Sequence, residues 1–235
     1  MMLSIQNATL LRQRIPLLTR IDFALLAGTC VALLGENGSG KSSLLHALAD
    51  AEPGHLHWRG GDIAWGIPPT KDLTVRARYR SLSRQRIEAP LGLTVHDVLA
   101  LASDHPGVAI QRWQLEDLAP RRTETLSGGQ LQRLELARSW SQIQDQCGVW
   151  MLDEPFNMLD LRWQDGLGRL MSEHCQQGGS VLFSVHDLGR ARQYAHRVLM
   201  LGEGCQLAFG GLDLLERHDL LARVYRLPVH HEAWL

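Results

Sequence analysis

Gly35-Glu36-Asn37-Gly38-Ser39-Gly40-Lys41-Ser42 fills the pattern G-x-x-x-x-G-K-[ST] at every position. Phosphate chemistry needs these residue types at this spacing. Glycines let the main chain turn tightly and aim successive N–H groups at an anion, and a following helix adds the positive end of its dipole. Lys41 brings a point charge to the outer phosphates, and the Ser42 hydroxyl is a ligand for magnesium. Ser43, next along the chain, counts with the loop as a nucleotide contact. The bland alternative is a structural turn. The apolar run before the loop and the helical pattern after it give the setting that the phosphate-binding form requires. The chain has 22 arginines and two lysines, Lys41 and Lys71, so one of its two lysines stands in this loop.

A second chemical element lies far downstream of Lys41, in Val149-Trp150-Met151-Leu152-Asp153-Glu154. An apolar strand that ends in two acids delivers both carboxylates to the carboxyl edge of a sheet, where ligands of α/β folds bind. Asp153 suits a magnesium site, through water. Glu154 suits the water that attacks a γ-phosphate, as its orienting group or base.

The elements that must position these residues are visible as runs and periods. Cys30–Leu34, Val149–Leu152, Val181–Val185 and Val198–Leu201 are continuous apolar runs, the mark of strands buried on both faces of a parallel sheet. Leu3-Ser4-Ile5 and Ile21–Leu25 alternate instead, as strands with one wet face do. Gly202-Glu203-Gly204 reads as a hairpin turn into Cys205–Phe209. Helical periods cover Ser42–Ala49, Leu126–Trp140 and Leu212–Tyr225, the last closed by Pro228. Buried strands alternating with helices indicate an α/β fold of the doubly wound kind. The stretch from Glu88 to Arg122 lacks buried-strand runs and is expected to be a helical lobe.

Composition narrows the function classes. A chain of 235 residues, 45% hydrophobic and 21% charged, has enough apolar material for a large core. Its 24 basic and 25 acidic residues leave no basic excess for general nucleic-acid binding. The longest uncharged apolar stretch, Phe23–Gly35, is too short to span a bilayer. No charged start followed by an apolar block marks a secretory signal, so a cytosolic chain is expected. Three of the four cysteines (Cys30, Cys147, Cys175, Cys205) sit in or beside apolar runs, where reduced buried thiols are expected. His55/His57 and His230/His231 offer metal ligands, although solvated histidines near a turn or terminus are the commoner arrangement.

Leu126-Ser127-Gly128-Gly129-Gln130 reproduces the LSGGQ signature of ABC-type ATPases, and Leu131–Arg138 resembles the helix that trails it. The resemblance extends over nearly the whole chain. Gln85 stands at the Q-loop position, Asn157-Met158-Leu159-Asp160 resembles the D-loop, and His186 follows Glu154 in the order of the H-loop histidine. It implies a P-loop ABC ATPase fold across residues 1–235: a mostly parallel sheet flanked by helices, an antiparallel N-terminal β part, and a helical lobe inserted at about 88–140. It also implies ATP and Mg2+ as cofactors. Gln85 joins Ser42 and Asp153 at the metal, and His186 clamps the γ-phosphate. Ser127–Gln130 and Asp160 act on ATP held by a second copy, the signature helix facing the γ-phosphate with its N-terminal amides.

The resemblance departs in two places. The family stacks adenine on an aromatic upstream of the Gly-rich loop; here that position falls near Arg12, and no Phe, Tyr or Trp precedes Phe23. The segment between Gln85 and Ser127 is short for the family, so a trimmed helical lobe is expected. The stretch Leu152–Leu161, the pair His186-Asp187-Leu188 with Tyr194–Val198, and the ending Leu221–Val229 resemble importers of cobalamin, iron-siderophores and haem, nearest the cobalamin ATPase. Such importers imply a two-subunit membrane permease and, indirectly, a periplasmic substrate-binding protein. They place the ATPase on the cytoplasmic face of the inner membrane. An export-type cassette and a soluble ABC ATPase acting on nucleic acid or ribosomes are the other readings; one cassette without a heptad run or basic excess disfavours the latter. Arg76, Arg78, Arg80, Arg84 and Arg86 form a run with no intervening acid. It either faces permease loops or anionic lipid, or is a solvated edge strand and loop, the favoured reading.

Overall fold

The computed structural model describes all residues except 53, 68–71, 86, 87, 144, 146 and 229–235. Arg86, Val229 and the His230/His231 pair therefore lie outside the described residues. Strands are β1 (Leu3–Arg12), β2 (Ile15–Leu25), β3 (Cys30–Leu34), β4 (Leu56–Arg59), β5 (Asp62–Trp65), β6 (Arg80–Ser83), β7 (Val149–Leu152), β8 (Ser180–Ser184), β9 (Arg197–Gly202) and β10 (Cys205–Gly210). Helices are α1 (Lys41–Leu48), α2 (Leu73–Ala77), α3 (Val95–Ala102), α4 (Pro106–Arg112), α5 (Gly128–Ser141), α6 (Leu161–Gln176), α7 (Leu188–Tyr194) and α8 (His218–Tyr225).

The four apolar runs and the polar strand β6 form a parallel core in the order β6-β7-β8-β3-β9. All five residues of β3 are buried, and they alternate between two faces as strand residues must. Cys30, Ala32 and Leu34 face a core shared with α5, α6 and the helical lobe; Val31 and Leu33 face one shared with α1 and the N-terminal strands. Both faces are covered, which is why β3 has no polar alternation. The alternating segments form the expected antiparallel part, β1 pairing with β2, β4 and β5. The β9–β10 hairpin turns at Glu203 (φ 53) and Gly204 (φ 70), both left-handed, as a tight turn matched to the strand twist demands. Cys30, Cys175 and Cys205 are buried, and all four cysteines are free.

The lobe contains α3, opened by a Thr94–Asp97 capping box, and α4, opened by Pro106, with two short 3-10 turns before α5. Its anchor is Trp113, fully buried, stacked on Trp163 of α6 and edge-on to Trp150 of β7. No helix of the described residues is long and apolar enough to cross a membrane.

Two expectations need correction. The period over Leu212–Tyr225 is two pieces, a 3-10 turn at Leu212–Glu216 and α8, broken at Arg217 (φ −84, ψ 85). Leu215 buries from the first piece, and Leu221 and Val224 bury from α8, so two apolar stripes in sequence had merged into one apparent helix. The arginine run is not a uniformly solvated edge. β6 is the edge strand, yet its four residues are buried. The Arg80 guanidinium donates to Leu48 O (3.1 Å) and to Asp50, and lies 4.8 Å from the Trp65 ring centroid. Arg76 of α2 shares Asp50 at 2.6 Å, whereas Arg78 and Arg84 are exposed. On the same edge Arg138 of α5 donates to Leu82 O at 2.9 Å while Glu135 holds it. The Arg138 contact covers a carbonyl of the edge strand that would otherwise be open to another chain.

Arg80 thus joins the end of α1 to the strand that leads into Gln85. Arg80→Ala removes its charged hydrogen bonds and is expected to cost roughly 1–3 kcal/mol, read as a lower urea midpoint at unchanged slope. An unchanged midpoint contradicts this role.

Candidate active site

The Gly-rich loop runs from β3 into α1 as the sequence requires. Gly40, the N-cap of α1, has φ 99, and Gly38 has φ 79, both conformations that L side chains avoid. A Cβ on Gly35 would collide with Ser39 Oγ and sit 3.0 Å from Leu201 O. Side-chain caps open α2, α3, α5, α6 and α7 at Asp72, Thr94, Ser127, Asp160 and Asp187. α1 has no side-chain cap and no acid in its first turn, which leaves its leading N–H groups for a ligand. Ser39 Oγ is buried without a hydrogen-bond partner, an orphan that a phosphate oxygen would satisfy.

Lys41 is 5% exposed, its Nζ donating to Gly35 O (2.8 Å) and Glu36 O (3.0 Å) within the loop. Burial pushes its pKa below the ordinary value, and the carboxylates of Glu154, Asp153 and Glu36 act in the opposite sense. A buried ammonium, an orphan hydroxyl and an uncapped helix start together fit a phosphate chain. Glu36 itself pairs with Arg226, just beyond α8, at 3.1 Å.

At the end of β7, Asp153 is buried and its N–H donates to Ser83 O (2.9 Å). Glu154 leaves the strand with φ 48. Its Oε1 lies 2.8 Å from His186 Nε2, and its Oε2 accepts from Asn157 Nδ2 at 2.6 Å. The Ser184 hydroxyl donates to Asp153 Oδ1 (2.6 Å) and accepts the Glu154 N–H (2.8 Å). A 240 Å³ cavity opens here, lined by Glu154, Asn157, Ser184, His186 and Arg190 among others.

The structure therefore brings Lys41, Asp153, Glu154 and His186 to one sheet edge. Gln85 is exposed just past Ser83, which is level with Leu152 of β7, so it reaches the same edge; no hydrogen bond among the described residues joins it to the acids. Ser127 and Gln130 form a capping box on α5, with Gln130 N to Ser127 Oγ at 3.3 Å and Ser127 N to Gln130 Oε1 at 3.0 Å. Gly128 and Gly129 lie against Met158, where a Cβ on Gly129 would stand 3.0 Å from Met158 O. Asp160 caps α6 through Trp163 N (2.8 Å). No hydrogen bond or ion pair among the described residues links Ser127–Gln130 to the Gly-rich loop. Arg12, near which the resemblance would put the adenine, donates to Ser43 Oγ (3.1 Å) beside that loop. His57 Nε2 lies 3.0 Å from Gly54 O, and the described residues hold no cluster of three or more metal-ligating His, Cys, Asp or Glu side chains.

Sequence reasoning passed over Ser184, whose signal is a polar residue inside the apolar run Val181–Val185. Arg226 escaped it as well, because an ion pair between the two ends of a chain leaves no local pattern.

A family model for the ABC transporter matches residues 18–157. The hemin import ATP-binding protein HmuV of Idiomarina loihiensis is 33% identical, over 97% of this chain and 92% of that protein. The vitamin B12 import ATP-binding protein BtuD of Yersinia enterocolitica is 31% identical, over 97% of this chain and 92% of that protein. Among solved structures, an ATP-binding subunit of an ABC transporter superposes with a TM-score of 0.81 at 22% identity, covering 95% of both chains. A dimeric ATP-binding cassette in a post-hydrolysis state with ADP and Pi gives 0.75 at 21% identity, covering 90% of this chain and 99% of that one. At those identities the likeness is one of fold.

Lys41→Ala tests the loop directly. A hydrogen bond to a charged group is worth about 1.5–3 kcal/mol, so ATP affinity should fall by roughly tenfold or more in a titration with a fluorescent ATP analogue. Unchanged affinity in the folded variant contradicts the assignment.

Proposed function

The chain belongs to the ABC transporter family, and from that premise we propose that it is the ATP-binding and ATP-hydrolysing subunit of an importer for haem, cobalamin or an iron-siderophore complex. The observation that carries the reading is the meeting of the buried Lys41 with Asp153, Glu154 and His186 at one edge of the sheet. Haem and cobalamin follow the relatives' names and the iron-siderophore complex follows the sequence resemblance, since the cargo of such an importer passes through the permease.

The amides of residues 36–42 and the Lys41 ammonium bind the β- and γ-phosphates. Lys41 leaves the loop carbonyls for phosphate oxygens, an exchange of neutral partners for charged ones. Ser42 and Asp153 would hold Mg2+ together with Gln85, from the segment just past β6. The ion, when bound, neutralises charge on the phosphate oxygens. Glu154 orients the attacking water and takes its proton, and His186, 2.8 Å from that carboxylate, holds the γ-phosphate and steadies Glu154.

One copy lacks a partner for the far side of the nucleotide. The α5 capping box uses Gln130 N, so the amides of Gly128 and Gly129 remain at the positive end of that helix. They close on the γ-phosphate bound by a second copy, with Asp160 from the same neighbourhood. The protein works as an ATP-sandwich dimer.

A 470 Å³ groove between β6 and α5, lined by Arg76, Arg84, Glu88, Glu135 and Arg138 among others, adjoins Gln85. Next to it lies a second groove that includes Leu101, which is 79% exposed. Charged ridges around an apolar floor suit the cytoplasmic loops of a two-subunit permease, which would hold this chain at the cytoplasmic face of the inner membrane. A periplasmic substrate-binding protein takes part only through that permease.

Glu154→Gln keeps size and hydrogen bonding but removes the carboxylate. Loss of a general base costs ~10²–10⁴ in rate, while the phosphate contacts remain. ATP with magnesium should therefore trap a stable dimer in gel filtration. Hydrolysis at near wild-type rate would falsify the assignment of Glu154.

A further inference from the structure

We infer that Ser184 is a positioning residue for hydrolysis, its buried hydroxyl holding Asp153 and Glu154 in the two orientations that one strand end must give them. The inference rests on the roles of those two acids proposed above.

Successive side chains of a strand point to opposite faces. Two adjacent acids with separate tasks at one edge therefore cannot both follow the regular strand. β7 resolves this by ending at Leu152 and setting Glu154 at φ 48, a left-handed conformation that costs about 1–2 kcal/mol for a residue with a Cβ. Something must hold it there. The Glu154 N–H donates to Ser184 Oγ at 2.8 Å, and the same hydroxyl gives its proton to Asp153 Oδ1 at 2.6 Å. One hydroxyl thus sets the side chain of the first acid and the backbone of the second, as donor to one and acceptor from the other.

Its own position is fixed. Ser184 is fully buried at the end of β8, paired with Leu33 of β3, and Phe183 is level with Leu152 of β7. It stands between the strand that launches the Gly-rich loop and the strand that ends in the acids. The rest of the run Val181–Val185 is apolar, so packing alone would accept an alanine here. No other side chain of that run offers a hydrogen bond to either acid, whereas the outer end of Glu154 is held separately by His186 and Asn157.

The test compares Ser184→Ala, the near-isosteric Ser184→Cys, and Ser184→Thr, which keeps the hydroxyl, with Glu154→Gln as a control. Each is measured for ATPase kcat, the magnesium concentration giving half-maximal rate, ATP affinity without magnesium, and unfolding midpoint. Loss of a charged hydrogen bond predicts, for Ala and Cys, about a tenfold fall in kcat and a severalfold higher magnesium requirement. ATP affinity should stay within about twofold, and Thr should keep most of the activity. A serine that only supports packing would lower the midpoint and leave the magnesium dependence where it was. Wild-type kcat and magnesium dependence in Ser184→Ala or Ser184→Cys overturns the inference. If the Ala variant does not fold, the Cys variant decides. Normal Ser184 variants beside an inactive Glu154→Gln defeat this inference alone, and an active Glu154→Gln defeats the reading of the site beneath it.

Discussion

A nearly buried ammonium, Lys41, depends on its surroundings to remain charged. Burial works against the ion, and two main-chain carbonyls together with the carboxylates at the end of β7 work for it. The carbonyls of Gly35 and Glu36 turn onto the ammonium, and the tight path of the loop takes glycine at the left-handed positions 38 and 40 and at the crowded position 35. That balance requires acids close by, hence a strand ending in Asp153-Glu154. It also requires both strands to end at the same edge, which a parallel sheet provides and an antiparallel hairpin does not. A phosphate chain entering the loop gives Lys41 the anionic partner that the carbonyls stand in for.

The same edge creates the tension between the two acids. Asp153 follows the strand into the interior, and Glu154 breaks from it in a left-handed turn toward His186. Hydrogen bonds at three other places hold the arrangement: the Asp153 amide donates to Ser83 O, the Ser184 hydroxyl donates to the Asp153 carboxylate and accepts the Glu154 N–H, and Asn157 donates to the Glu154 carboxylate. Away from the edge, Arg80 and Arg138 tie α1, β6 and α5 into one frame. The loop leading to Gln85 therefore starts from a fixed strand, next to the groove read as the permease surface.

Much of this was legible in the sequence because its causes are local. Strands β3, β7, β8 and β9 are buried on both faces and so appear as nearly unbroken apolar runs. The loop's glycines are set by φ angles, and the capping box of α5 is written in Ser127 and Gln130. What escaped is long-range or mixed in pattern. β4 and β5 are short and only partly buried, so their alternation is faint. Arg80 reads as a surface cation until Leu48, Asp50 and Trp65 are placed around it. The break at Arg217 hides between two apolar stripes that share a helical period.

On the proposed reading each catalytic site is made by two copies, one giving Lys41 and Glu154 and the other giving the start of α5. A mixing experiment reaches this most directly. A Lys41→Ala chain keeps its signature, and a Ser127→Arg chain keeps its Gly-rich loop but places a bulky side chain at the start of α5. Each alone should be inactive. Mixed at equal concentration, they can form a dimer with one intact composite site, so ATPase activity should rise well above the sum of the two. Activity of the mixture equal to that sum, with both chains folded and dimers forming in ATP, would contradict the account.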